Sequence, residues 1–251
     1  MTTATASARR PRAYIRVKGA DAIDYLNRML SNDVPESGSV DALLLTAKAR
    51  VIAPLLVWRR GEDDVLLLTE PELGEVVRTQ LLRMRFAAKC EIEAEEHTST
   101  IALGEHDGIP NRDYGVPAVE LLDSDLAGDA DLERLRIEAG TPLYGREIDD
   151  RVLPAEAGLD ERAISFDKGC YPGQEPIARQ HYRGKVNRRL RVLEVDGEPE
   201  PETPVVLDGK DVGRVTSAVP GLALAYVRVE VPEDAALDVG GRAATLRRSR
   251  P

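Results

Sequence analysis

The segment KGCYPGQE at 168–175 combines a thiol with the residues of a tight turn. Tyr171-Pro172-Gly173-Gln174 has proline and glycine in the order of a type II turn, and Gly169 frees the backbone just before Cys170. A buried structural cysteine is more typical of an apolar strand or helix. A thiol near cations can be held as thiolate, the nucleophilic and ligating form. The segment therefore predicts a reactive or ligating thiol on a loop, with Lys168 beside it.

Other reactive or ligand-binding motifs find little support in this chain. Cys170 and His181 could form a nucleophilic pair, but no flanking signature supports one. Two cysteines and three histidines give no familiar zinc spacing. The sequence has neither GxxxxGK[ST] nor GxGxxG. We therefore expect no metal site and no nucleotide chemistry. Cys90 opens an alternating, strand-like run to Glu95 and is expected to be a packing residue.

Composition and charge narrow the class of protein. The chain has 251 residues, 42% of them hydrophobic, a net charge of -10 and no apolar run near the roughly 18 residues of a membrane span. With only two cysteines, a reducing cytoplasm is expected. Between Lys168 and Arg191, seven basic residues face one acid, a local +6 that leaves -16 elsewhere. This contrast favours an anionic ligand there, and a solvated basic loop is the alternative.

The elements that must position the signature form an alternating α+β region. Ala13 to Val17 reads as a strand, and Asp21 is expected to cap a helix with apolar residues at three- and four-residue spacing. Val51 to Trp58 and Val65 to Leu68 predict a hairpin. The pattern Thr69-x-x-Glu72 predicts a capping box before a second helix.

The rest of the chain changes from helical to strand patterns. A further helix is expected over Leu132 to Ala139, stopping at Gly140. From Asn187, short alternating segments separated by Asp-Gly and Gly-Gly pairs predict a small sheet or barrel. We predict two domains, 1–186 and 187–251. The first twelve residues lack the apolar stretch of a secretory signal peptide. We expect them to be a frayed tail, with a short transit peptide as the alternative.

Three blocks in the chain resemble those of the YgfZ family, the folate-binding relatives of the glycine cleavage aminomethyltransferase (T-protein). KGCYPGQE is similar to the signature K-G-C-Y-x-G-Q-E. VKGADAIDYLNRMLSNDV at 17–34 resembles the opening block that ends in N-D-V, and LRIEAGTPLYGREIDDRVLPAEAGLDE at 135–161 resembles the R-x-E-A-G block. The resemblance implies an α+β folate-binding region with a central channel, followed by a small C-terminal β-barrel.

The same resemblance implies a function and site residues. The ligand would be tetrahydrofolate or a one-carbon derivative. The partners would be iron-sulfur enzymes or assembly factors, including an enzyme that modifies tRNA. Arg136 matches the arginine that contacts folate in aminomethyltransferases, and Glu120 matches the glutamate that holds the pterin ring. We assign further cofactor contacts within the signature, at Tyr171, Gly173, Gln174 and Glu175, and catalytic roles to Cys170 and Lys168.

The chain departs from the aminomethyltransferase pattern at one informative place. Where those enzymes carry a carboxylate that acts on the cofactor nitrogens, this chain has Ala53 and Pro54, which cannot handle protons. Ala49 also replaces the glycine of a K-G-R segment. The leading hypothesis is therefore a folate-binding, thiol-bearing maintenance factor for iron-sulfur proteins. A folate-dependent one-carbon transferase and a tRNA-contacting module are the alternatives.

Overall fold

The computed structural model describes residues 6–126, 128–184 and 186–247. The N-terminal part contains nine strands: β1 (Ser7–Arg9), β2 (Ala13–Lys18), β3 (Gly38–Leu45), β4 (Val51–Arg59), β5 (Asp64–Thr69), β6 (Glu91–Glu95), β7 (Ser99–Leu103), β8 (Ile109–Pro110) and β9 (Ala118–Leu122). Four α-helices are described: α1 (Ala22–Met29), α2 (Gly74–Met84), α3 (Leu132–Ala139) and α4 (Gln174–Arg183). Six further strands follow: β10 (Arg188–Val195), β11 (Pro204–Leu207), β12 (Lys210–Val219), β13 (Leu222–Arg228), β14 (Ala236–Val239) and β15 (Arg242–Leu246).

The chain divides into two compact units, whose boundaries differ from the predicted cut at 186. The first comprises Met1–Arg112, Val116–Ala130 and Asp160–Tyr182. The second comprises Asp113–Gly115, Asp131–Leu159 and Arg183–Pro251, so α3 belongs with the C-terminal strands. The predicted division at 186 remains a proposal about domains.

The first unit contains two antiparallel sheets. One has the strand order β3-β4-β5-β2-β6, and the other has the order β1-β7-β9-β8. The predicted hairpin forms as β4 and β5, with Leu56 opposite Leu68. Apolar side chains of the central strands and of helices α1 and α2 are fully buried, including those of Val17, Leu26, Leu67 and Val77. This core supports the turns on which the signature loop rests.

Three local predictions in the first unit are wrong. Ser7–Arg9 is a strand paired with β7, so this part of the N-terminal segment is not a frayed tail, while residues 1–5 lie outside the described residues. Asp21 stands at the N-cap position of α1, but the expected side-chain cap is absent, because its carboxylate accepts the Lys89 N–H at 2.7 Å. The Thr69 hydroxyl donates to the Pro54 carbonyl at 2.8 Å and is therefore not part of a capping box; a 3₁₀ turn precedes α2.

The second unit confirms the predicted helix and barrel. α3 ends at Gly140, which has a φ of 72°, as a helix-terminating glycine should. The strands β10-β13-β12-β11-β14-β15 form a closed barrel. Its interior is filled by aliphatic side chains, among them Leu193, Val205 and Val215. Closure removes the exposed sheet edges and accounts for the alternating pattern after Asn187.

Candidate functional site

The signature forms a type II turn that runs directly into a helix. The Gln174 N–H donates to the Tyr171 carbonyl at 3.2 Å, and Gly173 has a φ of 87°, so the predicted turn is confirmed. α4 begins at Gln174, a helix that the sequence reasoning missed. Cys170 lies one residue before the turn and is exposed. The loop therefore presents the thiol to solvent on a short, hydrogen-bonded segment.

Lys168 anchors the start of the loop to the end of α1. Its ammonium group donates to the Leu30 carbonyl at 3.0 Å and to the Asn32 carbonyl at 2.8 Å, and it lies 3.4 Å from Asp33. The Lys168 side chain is only 1% exposed. Burial lowers the pKa of Lys168, and Asp33 partly offsets this effect. Three acceptors take up the three N–H donors of the ammonium. The N-D-V segment and the signature, far apart in sequence, are thus joined by this side chain.

Gly173 presses the turn against the loop between β3 and β4. A Cβ at Gly173 would lie 2.6 Å from the Thr46 carbonyl oxygen and 3.2 Å from the Ala49 Cα, so only glycine fits. Ala49 itself has a φ of 59°, a left-handed conformation that glycine adopts more easily. Lys48, exposed, lies on the same loop. Three segments, 30–33, 46–50 and 168–175, therefore meet at the site; we call this arrangement the three-segment site.

The remaining signature residues differ in exposure. Tyr171 is 7% exposed, and its hydroxyl has no hydrogen-bond partner among the described residues. Burial raises the pKa of Tyr171 to about 12, so the hydroxyl stays protonated at neutral pH. The Lys168 ammonium lies 5.6 Å from the Tyr171 ring centroid. Glu175 is exposed and Gln174 is half-buried. The cofactor contacts assigned to these residues remain predictions.

The two cysteines differ as expected. Cys90 is buried, and burial raises the pKa of its thiol, which disfavours the reactive thiolate. Cys170 is the accessible thiol of the pair. Within the described ranges, no group of three or more His, Cys, Asp and Glu side chains could hold a metal ion. Cys170 can therefore act as a nucleophile, or as a single ligand that shares a metal with another molecule.

Glu120 is enclosed by protein donors. It lies on β9 with no exposed surface. Its carboxylate accepts hydrogen bonds from Arg12 at 3.1 and 3.2 Å, from Ser99 at 2.5 Å and from Asn111 at 3.2 Å. A carboxylate offers about four acceptor positions, and these donors occupy them. In this arrangement Glu120 has no acceptor capacity left for a pterin ring.

Arg136 is enclosed in a similar way within the second unit. Its guanidinium bonds both Glu133 oxygens at 3.1 and 2.7 Å, the Glu147 carboxylate at 3.0 Å and the Thr141 carbonyl at 2.8 Å. Glu147 also accepts from Ser217 at 2.6 Å. Burial opposes the charge on Arg136, but the two glutamates outweigh it and raise the pKa of Arg136. The Arg136 side chain is 6% exposed and connects α3 to Thr141 and Glu147 of the same unit.

Folate therefore does not fit the two residues that the resemblance assigns to it. Glu120 has its acceptor positions filled, and Arg136 is committed to two carboxylates and a carbonyl. Ala53, at the place of the transferase carboxylate, is fully buried on β4. The described residues thus offer no proton-handling group at that position, and no reaction step through folate follows from them.

Three of the seven basic residues in the basic segment are paired with carboxylates of the protein itself. Arg188 pairs with Glu156 at 3.2 Å, and Arg191 pairs with Glu233 at 2.5 Å. Lys168 is buried beside Asp33, Arg179 and Arg183 are exposed, and Lys185 lies outside the described residues. The charge available to an anionic ligand is therefore smaller than the sequence indicates.

His181 packs against an aromatic ring. Its imidazole stacks on Phe166 with the ring centroids 3.9 Å apart, and Tyr182 beside it is 70% exposed. The sequence reasoning missed this cluster because α4 was not predicted. Pro176 in the first turn after Gln174 and Glu175 was the available signal for that helix.

No helix in the described part of the chain is long and apolar enough to cross a membrane. The family described as CAF17, C-terminal beta-barrel domain, matches residues 187–250, the segment that forms the closed barrel. Similarity over most of the chain, beyond the barrel, is found with relatives that are matched over most of their own length. An uncharacterised protein of Haemophilus influenzae is 28% identical over 227 residues, which cover 82% of this chain and 81% of that protein.

The C-terminal segment thus resembles a CAF17-type barrel domain, and most of the chain is similar to aminomethyltransferases. An aminomethyltransferase of Bacillus pumilus is 24% identical over 81% of this chain and 72% of its own length. The crystal structure of glycine cleavage system aminomethyltransferase T from Bartonella henselae matches 98% of this chain and 86% of its own, with a TM-score of 0.82 at 19% identity. The predicted aminomethyltransferase-like α+β fold with a C-terminal barrel is confirmed.

Proposed function

We propose that this YgfZ-type protein supports the assembly or repair of iron-sulfur enzymes, including tRNA-modifying ones, in the cytoplasm, with Cys170 as its working thiol. The observation that carries the proposal is the exposed Cys170 on an anchored signature loop, in a chain whose other cysteine is buried. A thiolate is a soft ligand suited to iron-sulfur centres. One cysteine cannot hold a cluster, so the partner enzyme or factor must supply further ligands in a transient contact.

The residues of strand β4 disfavour the alternative of a one-carbon transferase. A one-carbon transferase needs a group that moves protons at the cofactor nitrogens, and the corresponding strand carries Ala53 and Pro54. Tetrahydrofolate or a one-carbon derivative stays in the proposal as a ligand that the resemblance implies. Its contacts must include residues other than Glu120 and Arg136 as these are now bonded. A rise in Tm with added tetrahydrofolate supports folate binding, and no rise at saturating folate contradicts it.

The proposal can be tested in cells by measuring the activity of a dehydratase that depends on an iron-sulfur cluster. The activity of that enzyme under mild oxidative stress is compared in cells whose only copy of this protein is wild type, Cys170→Ala or Cys90→Ala, at matched protein levels. We expect Cys170→Ala to behave like a deletion and Cys90→Ala to behave like wild type. If Cys170→Ala retains wild-type activity, the proposed function is wrong.

A further inference from the structure

Phe86 occupies an unusual position just beyond the end of α2. The Ala88 N–H donates to the Arg85 carbonyl at 3.0 Å and closes a four-residue turn, in which Phe86 is the first central residue. Its φ is 47°, in the left-handed region where such turns normally carry glycine. The Phe86 side chain is 84% exposed. A bulky aromatic residue is thus held in strained backbone while its ring faces solvent.

Packing of the Phe86 ring does not offset this strain within the described chain. Burial of the ring would offset the backbone strain, but the ring is exposed. The chain has only two phenylalanines, and Phe166 stacks on a histidine in the usual way. Strain that persists without internal compensation is typical of functional positions. The turn is also held in place, because the Arg85 side chain donates to the Cys90 carbonyl at 3.0 Å.

The surroundings of Phe86 are basic in an acidic protein. From Val76 to Cys90 the chain has four basic and no acidic residues, against a net charge of -10 overall, and one of the four, Arg78, pairs with Glu75 just before this stretch. Arg83 and Lys89 are exposed and form no ion pair within the described residues. Two acids lie next to this segment: Asp21, whose carboxylate accepts the Lys89 backbone N–H, and the exposed Glu91, which follows Cys90. We call Arg83 to Lys89 the Phe86 tip.

We propose that the Phe86 tip docks a partner protein whose surface offers an apolar pocket for the phenyl ring with carboxylates around it. One rigid aromatic ring beside cations has the chemistry of an interface anchor. The cations would steer an acidic partner and add specificity. A bilayer contact would need apolar area spread over several neighbouring side chains, and here one ring projects. The surface itself does not depend on the proposed function; only the identification of the partner as an iron-sulfur enzyme or assembly factor does.

Photo-crosslinking in cells tests the proposal. Phe86 is replaced by p-benzoylphenylalanine in the full chain, and Val229, an apolar residue that is 51% exposed, is replaced in the same way as the control. We expect a discrete adduct with an acidic protein at position 86 and none at 229. The adduct should fall about tenfold or more when Arg83→Glu and Lys89→Glu are introduced together, because the charges steer the contact.

Stability measurements separate docking from folding. Phe86→Gly relieves the left-handed strain, so its Tm should equal that of wild type or rise by about 1–3 °C. The same variant should lower dehydratase recovery in stressed cells. If Phe86→Gly leaves dehydratase recovery unchanged while Cys170→Ala lowers it, the identification of the partner is wrong and the proposed function stands. Any of three outcomes refutes the proposed docking surface. They are the absence of an adduct at position 86, an adduct with a second copy of this chain or with lipid, and an adduct that survives charge reversal.

Discussion

Lys168→Met measures how far the signature depends on its buried anchor. Methionine keeps most of the side-chain volume but removes the ammonium group, which leaves the carbonyls of Leu30 and Asn32 without their donor. An unsatisfied buried polar group costs about 1–3 kcal/mol; because both hydrogen bonds are only part-buried, the two carbonyls together predict a loss at the lower end of the summed range, about 2–4 kcal/mol. For a chain of this size, that corresponds to a fall in Tm of roughly 5–15 °C. Lys48→Met, on an exposed lysine of the same site, is the matched control and should change Tm little.

Thermal melts and hydrogen exchange test this prediction together. The amides of 168–175 should exchange faster in Lys168→Met, since the loop has lost its anchor. Lys168→Arg should recover part of the stability, because a guanidinium can still donate to both carbonyls. If Lys168→Met melts within about 2 °C of wild type, as the control should, then the anchoring role is refuted.

Three further predictions follow from the described contacts. Iodoacetamide should alkylate Cys170 at least about tenfold faster than Cys90 in the folded protein, measured by mass spectrometry; equal rates would contradict the exposure argument. Gly173→Ala should destabilise the protein by about 2 kcal/mol or more, whereas Ala49→Gly should stabilise it slightly, and denaturant melts showing the same sign for both would be incompatible with the type II turn and its close approach to Ala49. His97 lies 2.6 Å from the Asp123 carboxylate and 3.0 Å from that of Glu95. Burial opposes protonation of His97, but these two carboxylates raise its pKa above the ordinary 6.5. Its contribution should therefore be full below about pH 6.5 and be lost as pH rises through the folded-state pKa, so His97→Gln should cost more stability at about pH 5.5 than at about pH 9 in urea melts.

Local patterns predicted much of the fold because they depend on near neighbours. The β4–β5 hairpin, α3 with its terminal Gly140 and the change to strands after Asn187 all follow from period and turn residues. The wrong predictions concern side chains with distant partners. The Thr69 hydroxyl was expected to cap a helix, but in the structure it bonds a carbonyl of the adjacent strand.

The candidate site shows the same limit. The type II turn at Tyr171 to Gln174 could be predicted from proline and glycine alone. The acceptors of Lys168 could not, since they lie 136 and 138 residues away in the sequence. Equally, no local pattern indicates that Arg12 closes off Glu120, because that ion pair joins residues 108 apart. Resemblance located the residues, and the structure showed which atoms they bond.

We propose that the Cys170 thiol is the working group of this protein, and this proposal can be tested in extracts. Its most direct test is the recovery of an oxidatively damaged cluster-dependent dehydratase in extracts of cells that lack this protein, supplied with purified wild-type, Cys170→Ser or Cys90→Ser protein of equal Tm. We predict that wild type and Cys90→Ser restore the enzyme and that Cys170→Ser does not. Equal restoration by all three proteins would contradict the claim.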